Sequence, residues 1–352
     1  METKNRRYDI DWLRVIAIAI LLVFHIMVMF QSYANQVSFI QSPTLLKILL
    51  VPLSLLSVMR IPLLFFVSGM GVFFSLQRRT WLRLLGERAK RILIPLVFGS
   101  FAIVPIHKFI YAKYYSEKFI YSPESAHLWF LINILMYVSW FLALFYFVKE
   151  IQNSKFFKSL RRLIEKYPFS IYFLTMPYIL ESLTIPADVP YALYYDSRVG
   201  LLLGAVAFFL GFIFITLGEV VWKSISKIKY YSLSIAFVLF LIRLFEFKTH
   251  GPHILTSIES ISWIIGALGL GYVYLNKPSK TLGYLSAAAY PIYIVHMIFL
   301  YLGAYIIFPL SVGPWISLIL IIAFTFGGSF LSYEIIRRIF FLRPLFGLKS
   351  KK

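Results

Sequence analysis

The sequence has 352 residues, of which 60% are hydrophobic, 19% are aromatic and only 14% are charged. Those proportions exclude a soluble globular domain, which typically has about 25% charged and 45–50% apolar residues. The 35 Lys and Arg residues outnumber the 15 Asp and Glu residues, giving a net charge of +20, but the cations lie in short clusters between apolar runs. This pattern indicates a lipid bilayer with an anionic surface as the partner, and no nucleic acid.

Ten apolar segments, each of about the length that crosses a bilayer as a helix, follow one another along the chain. They are 10–31, 55–77, 92–112, 127–148, 168–185, 199–218, 230–247, 255–275, 283–306 and 314–336. The second segment is preceded by a predicted interfacial helix at 43–53, which Pro52 is expected to break. The connections are short, so we predict one all-α polytopic membrane domain that covers residues 1–352.

The distribution of Lys and Arg predicts the orientation of these spans. Most of the 35 cations fall in alternate connections, beginning with the segment that precedes the first span. Because cytoplasmic loops of membrane proteins carry an excess of Lys and Arg, both termini are predicted to be cytoplasmic and the number of spans to be even. The protein is expected to be a multi-pass protein of the plasma (inner) membrane.

The first span contains the most informative polar residues, since an ionisable side chain inside a membrane helix costs about 2.5–3.5 kcal/mol or more. Arg14 and His25 are separated by close to three full helical turns, with a rise of about 16 Å, so they share one face. Asp11 lies one turn before Arg14, where its carboxylate can orient the guanidinium. This face offers an anion clamp and a titratable base. In the alternative interpretation, Asp11 and Arg14 mark the membrane boundary and His25 hydrogen-bonds to a neighbouring helix.

A second basic segment, Arg88-Ala-Lys90-Arg91, leads into the third apolar run. A cofactor with several phosphates needs several fixed donors, and Arg supplies bidentate ones. Membrane topology alone also explains cations at an inner boundary.

Further polar and aromatic residues lie inside or at the ends of other spans: Arg60, Ser68, His127, Trp129, Ser286 and His296. Each has a structural alternative, because Trp at an interface is usually an anchor and an isolated His usually packs with its hydrogen bonds satisfied. The chain has no cysteine, which excludes thiol catalysis and cysteine-ligated metals. No other set of residues has an evident complement of metal ligands, so we predict no metal site.

Together these segments resemble the acyltransferase family 3 membrane proteins, particularly the branch of the glucan-biosynthesis protein C type succinyltransferases. The matching features occur in the order of the family from residue 9 to residue 296, and they are Asp11-x-x-Arg14 with His25, Arg60 with Phe65-Phe-x-Ser-Gly69, Arg88-x-x-Arg91, His127-Leu-Trp-Phe-Leu131, and the segment from Ser286 to His296.

The resemblance implies transfer of an acetyl or succinyl group from cytosolic acyl-CoA to a hydroxyl of a glycan or other cell-envelope carbohydrate, at or across the membrane. It associates the arginines with donor binding and the first-span histidine with catalysis. Acyl-CoA is expected as a co-substrate, with no tightly bound cofactor. Because the chain ends soon after the last predicted span, without the extracytoplasmic esterase-like domain of fused family members, a separate extracytoplasmic partner is one way to complete the transfer.

The residues suggest how this reaction would proceed. Arg88, Lys90 and Arg91 are predicted to attract the CoA phosphates, while Arg14, held by Asp11, fixes the donor further in. A pantetheine arm is roughly as long as the rise of about 16 Å from Arg14 to His25. His25 then removes the proton from the attacking hydroxyl, or is itself acylated first. The predicted acceptor-binding residues are Arg60, Ser68, His127, Trp129, Ser286 and His296.

Two other functional classes fit the same composition. A transporter or flippase for an envelope glycan or a lipid-linked precursor would line its path with buried charges, but it favours an internal repeat, and none is apparent. A catalytically silent assembly subunit is the other alternative.

Overall fold

The apolar runs form helices in the computed structural model of the protein, which describes residues 6–77, 81–186, 189–191, 197–248 and 251–349. No strand occurs in those residues. The α-helices are α1 (Tyr8–Val28), α2 (Leu50–Leu76), α3 (Trp81–Phe98), α4 (Val104–Tyr114), α5 (Trp129–Trp140), α6 (Leu142–Ile151), α7 (Lys155–Lys166), α8 (Ile171–Leu174), α9 (Met176–Ser182), α10 (Arg198–Leu217), α11 (Glu219–Glu246), α12 (His253–Leu270), α13 (Lys280–Ile307), α14 (Pro314–Arg338) and α15 (Leu342–Leu345).

By length and composition, eight helical stretches of the described chain can cross a membrane: Tyr8–Val28, Lys47–Leu76, Leu85–Tyr114, Gly200–Leu217, Glu219–Glu246, His253–Leu275, Lys280–Leu310 and Pro314–Arg338. A ninth results if Ala126–Trp140 and Leu142–Ile151, which are bent by 53° against each other, form one span. The all-α polytopic architecture predicted from the sequence is confirmed, whereas the count of ten is not.

The predicted span at 168–185 is interrupted in the structure. It consists of a 3₁₀ turn, Pro168–Ser170, and the short helices α8 and α9. The Thr175 hydroxyl donates to the carbonyl of Tyr172 at 2.8 Å, and Pro177 has no N–H with which to continue α8. Because eight or nine stretches qualify as spans, an even number of spans and cytoplasmic termini stay predictions.

The predicted helix break at Pro52 is wrong. A 3₁₀ turn at Lys47–Leu49 runs directly into α2, and Pro52 is the third residue of that helix. The first N–H groups of a helix have no partner within it, so proline is tolerated in the first turn and Pro52 does not interrupt α2.

The chain divides into two compact units. The first unit comprises Met1–Ala17, Ser54–Leu85 and Asn133–Leu282, and the second comprises Ile18–Leu53, Gly86–Ile132 and Gly283–Lys352. Several boundaries fall inside helices, so residues 8–17 of α1 belong to the first unit and residues 18–28 to the second. The single domain over residues 1–352 stays a prediction.

In the first unit, α2 and α10 approach each other to backbone contact. A Cβ on Gly69 would lie 1.8 Å from the carbonyl oxygen of Phe208, and a Cβ on Gly211 would lie 1.9 Å from that of Phe66. Both helices therefore carry a Phe-x-x-Gly pattern, and each glycine receives the carbonyl of the partner's phenylalanine. Small residues permit this approach between membrane helices.

A buried ion pair connects α11 and α12, also in the first unit. The side chains of Arg243 and Glu259 are 2% and 0% exposed, and Arg243 Nε lies 2.6 Å from Glu259 Oε2. Arg243 Nη2 donates to Glu259 Oε1 at 2.9 Å, and Nη1 donates to the hydroxyl of Ser54 on α2 at 2.7 Å. The two charged side chains and the hydroxyl of Ser54 thus form hydrogen bonds with one another inside the protein.

We expect Gly69→Ala to lower the midpoint of thermal unfolding by several degrees, because the added Cβ meets backbone atoms that cannot rotate away. Gly86→Ala is the matched control, since nothing lies within 4 Å of a Cβ at Gly86. Intrinsic tryptophan fluorescence in detergent measures both midpoints, and equal midpoints would contradict the close contact.

Removing one partner of the buried pair should be more damaging than removing both. Glu259→Gln leaves the Arg243 charge uncompensated, and we expect a loss of about 3–5 kcal/mol in the free energy of unfolding. The double replacement Arg243→Met with Glu259→Met should recover much of that loss, because no unpaired charge remains buried. Denaturant unfolding in detergent compares the variants, and a double variant as unstable as Glu259→Gln would argue against this explanation.

Candidate active site

Four of the six histidines of the chain form a cluster in the second unit. They come from four separate segments: His25 from the last turns of α1, His107 from α4, His127 from the turn before α5, and His296 from α13. Neighbouring rings have centroids 5.2–5.5 Å apart. Ionisable residues gathered inside apolar helices are the usual mark of a functional site in a membrane protein.

The shortest contact in the cluster is between His25 and His296. His25 Nδ1 lies 3.1 Å from His296 Nε2. The two ring planes differ by 8°, and the centroids are 5.3 Å apart. This centroid separation is close to the largest that is possible for two imidazole rings joined by such a contact. The line between the two nitrogens therefore lies nearly in the planes of both rings. This geometry is that of a hydrogen bond, and the rings are not stacked face to face.

His296 is held in place by its own helix. It is fully buried, and its Nδ1 lies 2.7 Å from the carbonyl oxygen of Tyr293, one turn earlier in α13. The rings of His127 and Tyr293 contact the imidazole from two further directions. Both ring nitrogens of His296 are therefore engaged within the protein.

His127 offers a different arrangement of its two nitrogens. Nε2 lies 3.0 Å from the carbonyl oxygen of Ile294 in α13. Since a carbonyl only accepts, Nε2 carries the proton and Nδ1 carries a lone pair. Nδ1 is buried and has no hydrogen-bond partner. The hydroxyl of Tyr293 donates to the backbone carbonyl of His127 at 2.5 Å, which fixes this turn against α13.

Aromatic side chains surround the cluster. The segment after α1 folds back on that helix, with Ser42 N donating to Met29 O at 2.7 Å. It places the ring of Phe39 5.5 Å from that of His25. Tyr301 lies 5.1 Å from His107 and 5.9 Å from Phe39, measured between ring centroids. His25 is only half-buried, so part of its surface is left uncovered by these side chains.

Sequence reasoning did not select His107, Tyr293, Tyr301 or Phe39. His107 falls inside the predicted span 92–112, so the criterion that selected His25, an ionisable residue in an apolar run, would have found it. The three aromatic residues carry no comparable signal in a chain that is 19% aromatic.

Three of the four predicted donor-binding residues, Arg88, Lys90 and Arg91, lie on α3 in the second unit. Lys90 and Arg91 are exposed, and Arg88 is half-buried one turn earlier. The C-terminal segment packs beside them: a Cβ on Gly347 would lie 3.2 Å from the carbonyl oxygen of Arg91 and 2.2 Å from the ring of Tyr290. The side chains of Lys90 and Arg91 are thus left uncovered by the rest of the described chain.

Asp11 and Arg14 of α1 and Arg60 of α2 belong to the first unit. Asp11 accepts from Arg6 Nε at 3.1 Å and from Arg6 Nη2 at 2.9 Å. Its other oxygen lies 3.6 Å from Arg14 Nη1, so Asp11 pairs with Arg14 as expected, but more closely with Arg6. Arg60 Nη1 donates to the Ser57 carbonyl at 3.4 Å.

The other three predicted residues are half-buried: Ser68, Trp129 and Ser286. Ser68 lies on α2 in the first unit, next to Gly69 at the contact with α10. Trp129 and Ser286 belong to the second unit, and Trp129 opens α5 two residues after His127. The structure thus brings together His25, His127 and His296 from the predicted set, with Trp129 next to His127 along the chain. In the described residues no three His, Asp or Glu side chains are placed to hold a metal ion.

A family model described as an acyltransferase domain matches residues 7–334, which is nearly the whole chain. Comparisons with curated proteins and with solved structures gave no match.

Proposed function

The chain belongs to the acyltransferase 3 family, and we propose that it is a membrane O-acyltransferase that moves an acetyl or succinyl group from acyl-CoA to a carbohydrate hydroxyl of the cell envelope. The observation that carries the proposal is the half-buried His25, joined at 3.1 Å to a fully buried second histidine. Acyl transfer to a hydroxyl needs a base that is accessible on one side and oriented on the other.

In the proposed step His25 acts as the general base. The hydroxyl oxygen of the acceptor attacks the thioester carbonyl carbon while His25 takes the hydroxyl proton. The C–S bond then breaks, and the same proton passes from His25 to the sulfur of the departing CoA, so atoms and charge balance. The variant in which His25 is acylated first uses the same ring and transfers the group in two steps.

We assign donor binding to the cations of α3. CoA carries several phosphates, and Arg88, Lys90 and Arg91 offer charge-assisted donors within one turn of one helix. Exposure of Lys90 and Arg91 suits a donor that arrives from water. That Arg14, with Asp11, also holds the donor stays a prediction from the sequence.

We assign acceptor binding to His127. Its buried Nδ1 has a lone pair and no partner within the protein, and a buried acceptor without a donor is costly unless a ligand or water supplies one. A sugar hydroxyl is such a donor, and Trp129 supplies an aromatic face close by in the chain. The roles of Arg60, Ser68 and Ser286 in acceptor binding stay predictions. So do a separate extracytoplasmic partner and the location of this protein in the inner membrane.

His25→Gln should lower the rate of acyl transfer at least about 100-fold, because general-base catalysis contributes about 10²–10⁴-fold. Binding of CoA should survive. The assay is transfer of radiolabel from acetyl-CoA or succinyl-CoA to an envelope glucan fraction by purified protein in lipid nanodiscs. His253→Gln is the control, since His253 lies outside the cluster. Undiminished transfer by His25→Gln would remove His25 as the base.

Arg91→Gln should weaken binding of CoA about 10–150-fold, because one charge-assisted hydrogen bond is worth about 1.5–3 kcal/mol. Titration calorimetry at two salt concentrations should also show that the affinity for CoA depends less on salt in the variant than in the unmodified protein. The matched control is Arg162→Gln, which removes an exposed cation from α7. Equal effects of the two substitutions would show that general surface charge, and not a site on α3, attracts the donor.

A further inference from the structure

We propose that His296 is a positioning residue that fixes the tautomer of His25, so that Nδ1 of His25 carries the proton and Nε2 carries the lone pair. The inference deepens the proposed function, on which it rests for its catalytic meaning. It reassigns His296, which the sequence suggested as an acceptor-binding residue. The assignment follows from a chain of three groups: the carbonyl of Tyr293, the ring of His296 and the ring of His25.

The direction of these two hydrogen bonds is fixed because the first of the three groups, a carbonyl oxygen, can only accept a hydrogen bond. Nδ1 of His296 lies 2.7 Å from the carbonyl oxygen of Tyr293, so Nδ1 carries a proton. In a neutral imidazole the other nitrogen, Nε2, is then an acceptor. His25 Nδ1, 3.1 Å from that acceptor, must supply the proton of the hydrogen bond. The remaining nitrogen of His25, Nε2, is left with the lone pair that a general base needs.

This placement of the protons on the ring nitrogens requires His296 to be neutral. The surroundings of His296 favour the neutral state. The residue is fully buried, and its ring faces the rings of His25, His127 and Tyr293. None of these carries a negative charge that would compensate an imidazolium, and an uncompensated buried charge is strongly unfavourable. The carbonyl of Tyr293 holds the ring within its own helix, so its orientation does not depend on a substrate.

The pair serves the purpose that a carboxylate serves in a catalytic triad, which is to hold the base histidine in one tautomer and one orientation. A neutral imidazole does this without placing a negative charge inside the membrane domain. When His25 Nε2 takes the proton of the attacking sugar hydroxyl, His25 becomes an imidazolium. Its positive charge is then stabilised by the hydrogen bond from Nδ1 to His296 Nε2. The proton does not need to leave His25 Nδ1 at any stage.

Nitrogen NMR of histidine tests the assignment without using activity. The chain has six histidines, so protein labelled with ¹⁵N at both ring nitrogens gives a small set of signals, and subtraction of the His25→Gln spectrum identifies His25. We expect His25 in the Nδ1–H form, with a coupling through the hydrogen bond to His296 Nε2. This measurement uses the unmodified protein in nanodiscs, so it does not depend on the folding of a variant at position 296.

Two substitutions at position 296 then separate positioning from packing. His296→Leu removes the acceptor, and we expect His25 to become a mixture of tautomers and kcat to fall about 10–100-fold with KM for acyl-CoA unchanged. His296→Gln keeps an acceptor oxygen and should restore part of kcat and the Nδ1–H signal. Met297→Leu, a volume-conserving change at the neighbouring buried residue, controls for repacking and should leave both unchanged.

The outcomes are distinct for this inference and for the proposed function. An Nε2–H tautomer for His25 in the unmodified protein would overturn the inference, and so would an Nδ1–H signal that persists unchanged in folded His296→Leu. Folded protein that neither binds nor hydrolyses acyl-CoA would overturn the proposed function instead, while the NMR result would still decide the tautomer.

Discussion

Helices that pack in an apolar environment must satisfy the hydrogen bonds of their polar side chains with one another, because no water is present to do so. This constraint decides which helix faces meet in this protein. Arg243 and Glu259 pair across α11 and α12 and include Ser54, and the hydroxyl of Ser260 donates to the carbonyl of Val58 at 2.7 Å. Each such pair has only one register in which both partners are satisfied.

The same constraint gives meaning to the polar atoms that have no partner. Nδ1 of His127 is one of them, and it lies in the histidine cluster of the second unit. An apolar residue would occupy that position at lower cost if only packing mattered. An acceptor kept without a donor, beside an accessible histidine, is the arrangement expected where a substrate supplies the missing hydroxyl.

Backbone proximity brings the cluster together. A Cβ on Gly99, the residue directly after α3, would lie 2.4 Å from Leu128 Cδ1, so the chain at this point closely approaches the turn that carries His127. Gly99 begins the π-helical turn Gly99–Ile103, which leads into α4, the helix that carries His107. π-helical turns often mark functional sites, because the extra residue rotates the side chains that follow onto another face. Gly99 and the π-helical turn thus help to position two of the four histidines, His127 and His107.

Composition and hydropathy alone determined the all-α membrane architecture and the positions of most spans, since a run of about 20 apolar residues has few alternatives to a membrane helix. The spacing from Asp11 to His25 also selected the first helix as functional, because helical periodicity is a local property. The interruption at Thr175 and Pro177 was not evident, since hydropathy does not register where an apolar run bends. Nor was the contact of His25 with His296, which are 271 residues apart in sequence. That contact depends on how α1 and α13 pack, and only the tertiary structure contains that information.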